Sequence, residues 1–126
     1  MIIFDTSIWI EHLKSNRQYF PITCKLLESG DVLAVECIFA ELLQGVKNKN
    51  EEETILKFWK HLPKEKYENI LIEAGMYSAA NKLSDHGVGL IDSLIIMHGI
   101  KSNSRIWTLD KKLLNILPNE LIYYIN

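Results

Sequence analysis

Three of the five aspartates in this 126-residue chain occupy the same kind of place. Asp5 follows Ile2-Ile3-Phe4, Asp92 follows Val88-Gly89-Leu90-Ile91, and Asp110 follows Ile106-Trp107-Thr108-Leu109. Each stands where an apolar run gives way to a helical pattern, a position at which an aspartate commonly caps the helix by accepting a hydrogen bond from an orphan backbone N–H. Asp31 and Asp85 sit in turn contexts that need no further explanation. Glu41 is different, because Phe39-Ala40-Glu41-Leu42-Leu43 places it inside a helix, where capping is not available. Its helical neighbours are Cys37, Ile38, Gln44 and Gly45, with no lysine or arginine among them. A solvated glutamate and a functional one both fit that position taken alone.

The four acids together say more. If Asp5, Glu41, Asp92 and Asp110 converge, they make six repulsive pairs, each costing ~3 kcal/mol at ~5 Å and an effective dielectric of ~20. The total of ~20 kcal/mol exceeds the ~5–15 kcal/mol stability of a whole domain. Such a cluster must take up protons or bind cations. Hard oxygen donors without histidine or thiolate favour Mg2+, with Mn2+ as a substitute, over zinc. A divalent ion held this way activates water and offsets charge on a phosphodiester, which points to hydrolysis. Thr6, Ser7 and Thr108 add hydroxyls beside Asp5 and Asp110 that can orient carboxylates, water or a phosphate oxygen. Local capping is an equally good use for each hydroxyl singly.

The elements that must position these groups alternate. Ile2 to Phe4 reads as a buried strand and Ser7 to Leu13 as a helix. Pro21 suits the first turn of a second helix, with Gly30 as its left-handed stop. Val32 to Val35 reads as a strand; helices follow over 37–46, 51–61 and 69–85, the last stopped by Gly87. Leu94 to Ile100 reads as a buried helix, Arg105 to Leu109 as a strand, Lys111 to Leu117 as a helix halted by Pro118, and Leu121 to Ile125 as a final strand. Pro63 to Glu68 remains open between a loop and a short extra strand. The alternation predicts an α/β fold, a three-layer α/β/α sandwich around a parallel sheet of four or five strands, with chemistry at the carboxyl ends of the strands.

Composition sets the bounds. Hydrophobic residues make up 48% and charged residues 24%, enough for one globular domain over residues 1–126. Net charge is -2, which removes bulk positive charge as an argument for nucleic-acid binding, so any polyanion must be recruited locally. Cys24 and Cys37 form no CxxC pair, and a reducing, cytoplasmic location fits them. The opening residues lack the basic region of a signal peptide, and no apolar run approaches membrane-spanning length.

These residues resemble the PIN-domain family, specifically the VapC toxin group of type II toxin–antitoxin modules. The likeness rests on Asp5-Thr6-Ser7 with Trp9-Ile10-Glu11, on Glu41-Leu42-Leu43-Gln44-Gly45, on Gly87 to Ile96 with Asp92, and on Thr108-Leu109-Asp110. Each motif is short, but their order and spacing in a chain of this length are specific. One departure is Ile96-Met97-His98-Gly99, where many relatives carry an alanine-rich helix. The resemblance implies a Mg2+- or Mn2+-dependent endoribonuclease whose acidic quartet maps onto Asp5, Glu41, Asp92 and Asp110. It also implies a homodimer, neutralised by a VapB-type antitoxin whose C-terminal segment lies in the toxin's groove.

Other features carry less. His12, His61, His86 and His98 show no metal-ligand spacing and read as structural or solvated. Trp9, Trp59 and Trp107 lie in apolar runs and read as core. Lys47, Lys49, Arg105, Lys111 and Lys112 lie near Glu41 or Asp110 but read as solvated and stay outside the site. A receiver-type phosphoacceptor domain shares the length and βα order, yet needs an aspartate ending a central strand near residues 50–60, where Glu51 to Glu53 stand in a helical pattern.

Overall fold

The structure, a computed structural model, describes residues 1–125. Its elements run β1 (Ile2–Phe4), α1 (Thr6–Leu13), α2 (Phe20–Glu28), α3 (Glu36–Gln44), α4 (Lys49–His61), α5 (Ile70–Ala80), α6 (Leu90–Ser102), β2 (Arg105–Trp107) and α7 (Lys111–Ile116). Single 3-10 turns lie at Leu83–His86 and Asn119–Leu121. The result is an α/β fold built on parallel pairing, with β1 and β2 in register as Ile2–Arg105, Ile3–Ile106 and Phe4–Trp107.

Ladder pairing is confined to those two strands among the described residues. Three further passes join by single parallel bridges, Ile2 to Val32, Ala34 to Lys64 and Ile106 to Ile122. The expected strand at 32–35 is thus an extended pass, and Pro63 to Glu68 supplies another through Lys64. The expected strand at 121–125 is replaced by the 3-10 turn at Asn119–Leu121 and one bridge. Pro118 offers no N–H and a fixed φ, which suits a turn and leaves few residues to pair.

Burial explains how the sheet is held. Neighbouring residues of an extended chain face opposite ways. Ile3 and Phe4, Val32 to Val35, and Ile106 and Trp107 are all buried, so both faces of these passes are covered. Trp9 of α1 fills one side, meeting Phe4 at 5.3 Å and Phe39 at 5.2 Å in edge-to-face geometry. Close approach decides the other contact: a methyl group on Gly99 of α6 would fall 2.9 Å from Ile106 Cδ1, so only glycine lets the helix lie this near β2.

The stretch expected as one helix over 69–85 is two elements. Lys82 adopts a left-handed conformation (φ 52°), and Asn81 turns its side chain back to donate to the Tyr77 carbonyl at 2.9 Å. That bond ends α5, and the chain re-forms as a 3-10 turn stopped by Gly87 at φ 73°. No described helix is long and apolar enough to cross a membrane.

Candidate active site

Asp5 leaves β1 and caps α1. Its Oδ1 accepts from the Ser7 N–H at 2.9 Å, the Ile8 N–H at 3.3 Å and the Ser7 hydroxyl, while Oδ2 accepts from the Thr108 hydroxyl. The Ser7 hydroxyl comes from the first turn of α1 and that of Thr108 from the end of β2. Leu109 N–H donates to Ser7 Oγ at 3.0 Å, and Asp110 N–H donates to Thr108 Oγ1 at 3.0 Å. Two relays therefore fasten the 108–110 loop onto one carboxylate. Asp110 in turn caps α7, accepting from the Lys112 N–H at 2.9 Å. For Asp5 and Asp110, capping and a place at the strand ends are one arrangement rather than alternatives.

Asp92 is not a cap. Gly89 occupies that position, and Asp92 lies in the first turn of α6, where the Gly89 backbone favours its charged form. The sequence misplaces it because the apolar run Val88 to Ile91 reads as preceding the helix, whereas Leu90 and Ile91 are exposed on its first turn. Glu41 stands exposed on α3 and accepts from the Thr6 hydroxyl at 2.9 Å. That single bond ties α3 to the residue following Asp5.

The acids act on one another through repulsion. Asp92 is raised above the ordinary carboxylate range first by burial, then by Asp110, with Glu41 and Asp5 adding further; only the Gly89 N–H opposes. Asp5, 6% exposed, is raised by burial against the pull of the Ser7, Thr108 and Ile8 donors. Ion pairs among the described residues join Lys49 to Glu52 and Lys101 to Glu73, so none of the four acids has a basic partner. Like charge without compensation keeps the group open. Among the described residues, no three of His, Cys, Asp and Glu close tightly enough to form a ready-made metal cage.

Donor chemistry nevertheless suits a hard divalent cation: four carboxylates without an ion-paired cation among the described residues, and burial that makes the charge of Asp5 and Asp92 costly. The histidines stand apart. His12 is buried against Phe20, Trp9 and Phe58, and its Nδ1 lies 2.7 Å from Thr23 Oγ1. Since the Thr23 hydroxyl proton goes to the Phe20 carbonyl, His12 is the donor and Nδ1 carries the proton. Trp9 and Trp107 are core residues as expected. Trp59 is half-buried, with Lys64 Nζ 4.9 Å above its ring.

One feature escapes the sequence. A groove of about 510 Å³ opens beside the Thr6–Glu41 bond, between α1, α3 and α4, floored by Ile10, Leu13, Leu42, Val46 and Ile55. The available signal was Ile8-Trp9-Ile10 with Leu13: more apolar residues than one face of α1 buries, leaving Ile10 and Leu13 39% and 37% exposed.

A PIN domain family model matches residues 2–116, and the chain belongs to that family. Among its curated relatives are a protein named VapC ribonuclease Mb1587 from Mycobacterium bovis and Ribonuclease VapC11 from Mycobacterium tuberculosis. Each is 26% identical over 112 residues, covering 84% of this chain and 84% of the relative. Family membership sets aside the receiver-type reading.

Proposed function

We propose that this chain, as a single PIN domain over residues 1–126, is a VapC-type endoribonuclease toxin that hydrolyses RNA phosphodiester bonds with divalent metal. The observation that carries this is the hydrogen-bonded frame at the strand ends, where Ser7 and Thr108 hold the Asp5 carboxylate and Thr6 bonds Glu41, with no ion-paired cation on any of the four acids among the described residues. The names of the relatives support RNA as the substrate. We read the five parallel passes as the four- or five-strand sheet of a three-layer sandwich that presents these acids at its carboxyl edge.

Asp5, Glu41, Asp92 and Asp110 would hold the ion, Mg2+ or Mn2+ in its place. When bound, it supplies polarisation of the attacking water and relief of charge at the phosphate. The protein does the rest. Ser7 and Thr108 hold the Asp5 carboxylate in one orientation, and Thr6 steers Glu41 toward the same space.

A VapB-type antitoxin would lie in the groove beside Glu41, covering its apolar floor and blocking the acids. A homodimer would cover Leu71, Ile72 and Met76 of α5, which are 50%, 66% and 67% exposed. The cytoplasm is the expected compartment. Incubating purified protein with single-stranded RNA in Mg2+ and in EDTA tests the chemistry. Cleavage confined to Mg2+ and abolished by Asp92→Asn is the expected result; equal cleavage in EDTA overturns it.

A further inference from the structure

The acid cluster repels the phosphates of the substrate it is proposed to cut, so a nuclease of net charge -2 needs a local cation to hold the strand. Lysines flanking Asp110 appear unremarkable in sequence, but the fold treats one of them differently. Gly87, left-handed at φ 73°, is crossed by the Lys112 side chain: a methyl group built there would lie 3.5 Å from Nζ, 3.6 Å from Cδ and 3.8 Å from Cε. The stem therefore lies along the turn, and the ammonium is delivered to Gly87 in the loop that opens α6, three residues before Leu90 and five before Asp92.

Lys112 is joined to the cluster from its own side as well, since its backbone N–H bonds Asp110 Oδ1 at 2.9 Å. The residue thus spans the segments carrying Asp92 and Asp110. Yet among the described residues its ammonium makes no ion pair with any carboxylate. A cation beside an acidic pocket that is not consumed by it remains free for a phosphate. Packing over Gly87 also removes part of the rotamer freedom that a solvated lysine would lose on binding.

We propose that Lys112 is a substrate-positioning residue, its ammonium contacting a phosphate of the RNA strand next to the scissile bond. This rests on the ribonuclease reading above. The contact carries no base information, so its loss weakens all sequences alike.

The test separates binding from cleavage. In an Asp92→Asn background, anisotropy of a labelled single-stranded RNA is followed across salt in Mg2+. Adding Lys112→Ala lowers affinity about fivefold and reduces the steepness of the log–log salt dependence by about 0.7, the value for one phosphate contact on a single strand. In the otherwise native chain, Lys112→Ala raises KM with kcat unchanged, Lys112→Arg restores KM, and Lys111→Ala changes neither. Lys112→Ala matching the native chain in both salt slope and KM overturns the inference alone. A native chain that binds RNA through Lys112 but never cuts it overturns the nuclease reading and leaves this contact standing. A native chain that does not bind RNA overturns both.

Discussion

Helix α1 joins two regions that solve opposite problems. At its start Asp5 enters an acid pocket; one turn later Trp9 enters an aromatic wall with Phe4, Phe39 and Phe58. The wall is satisfied: Trp9 meets Phe4 and Phe39 edge to face and Phe58 at a tilt, all at 5.1–5.3 Å, and His12 has Thr23 as acceptor. The pocket is frustrated: its acids burden one another and have no basic partner. Stability is concentrated in the wall, and the pocket draws on it to hold its charges in place.

Substitutions should therefore separate the two regions. The largest effect is expected from Asp92→Asn, which should lower RNA cleavage about a thousandfold, several kcal/mol of lost cation-mediated stabilisation. The same change should raise the Tm of the metal-free protein, because it removes a charge that three acids and burial oppose. A lower Tm would break the comparison. Trp9→Ala should do the reverse, costing about 3–5 kcal/mol in urea unfolding through the cavity it leaves. Gly99→Ala should cost about 1–3 kcal/mol by forcing α6 off Ile106, with little change in cleavage per folded molecule.

Acidity provides the finest distinction, since the two regions respond with opposite sign. Asp5 and Asp92 are raised by burial, so the folded state binds their protons more tightly than the unfolded chain. Their contribution is fully present below the ordinary carboxylate range and is lost as pH rises through the raised values. Divalent metal should offset that loss, stabilising more at neutral pH than in acid. His12 is lowered by burial, so its contribution is present above the ordinary histidine range and is lost as pH falls through it. Tm measured against pH in EDTA should show both limbs, and His12→Gln should flatten the one near the histidine range while leaving the carboxylate limb. His98, also lowered by burial, is expected to leave a remnant of the histidine limb.

Much of the site was legible because it is encoded locally. An aspartate closing an apolar run is a cap in any context, and Asp5 and Asp110 are caps here. Glu41 stood out because nothing local explained it, and the hydroxyls stood out by adjacency. Errors fell where local signals compete. Leu90 and Ile91 fall outside the helix the sequence predicts, because a short apolar run does not announce a helix that opens onto an exposed face. The helix expected to reach residue 85 was cut by the Asn81 side chain, whose bond to Tyr77 competes with continuation. Lys112 looked like its neighbour Lys111, because only the fold brings Gly87 beneath it.

Taken by itself, the chain's order of residues determined the alternation of strand and helix, the capping aspartates and the excess of unpaired acid, since each depends on spacing within a turn or two. Tertiary structure alone decided that Thr6 reaches Glu41 across 35 positions and Thr108 reaches Asp5 across 103, and that Asp92 shares their field. Those distances are set by parallel pairing of β1 with β2 and by how closely α6 can approach them, which no local pattern specifies.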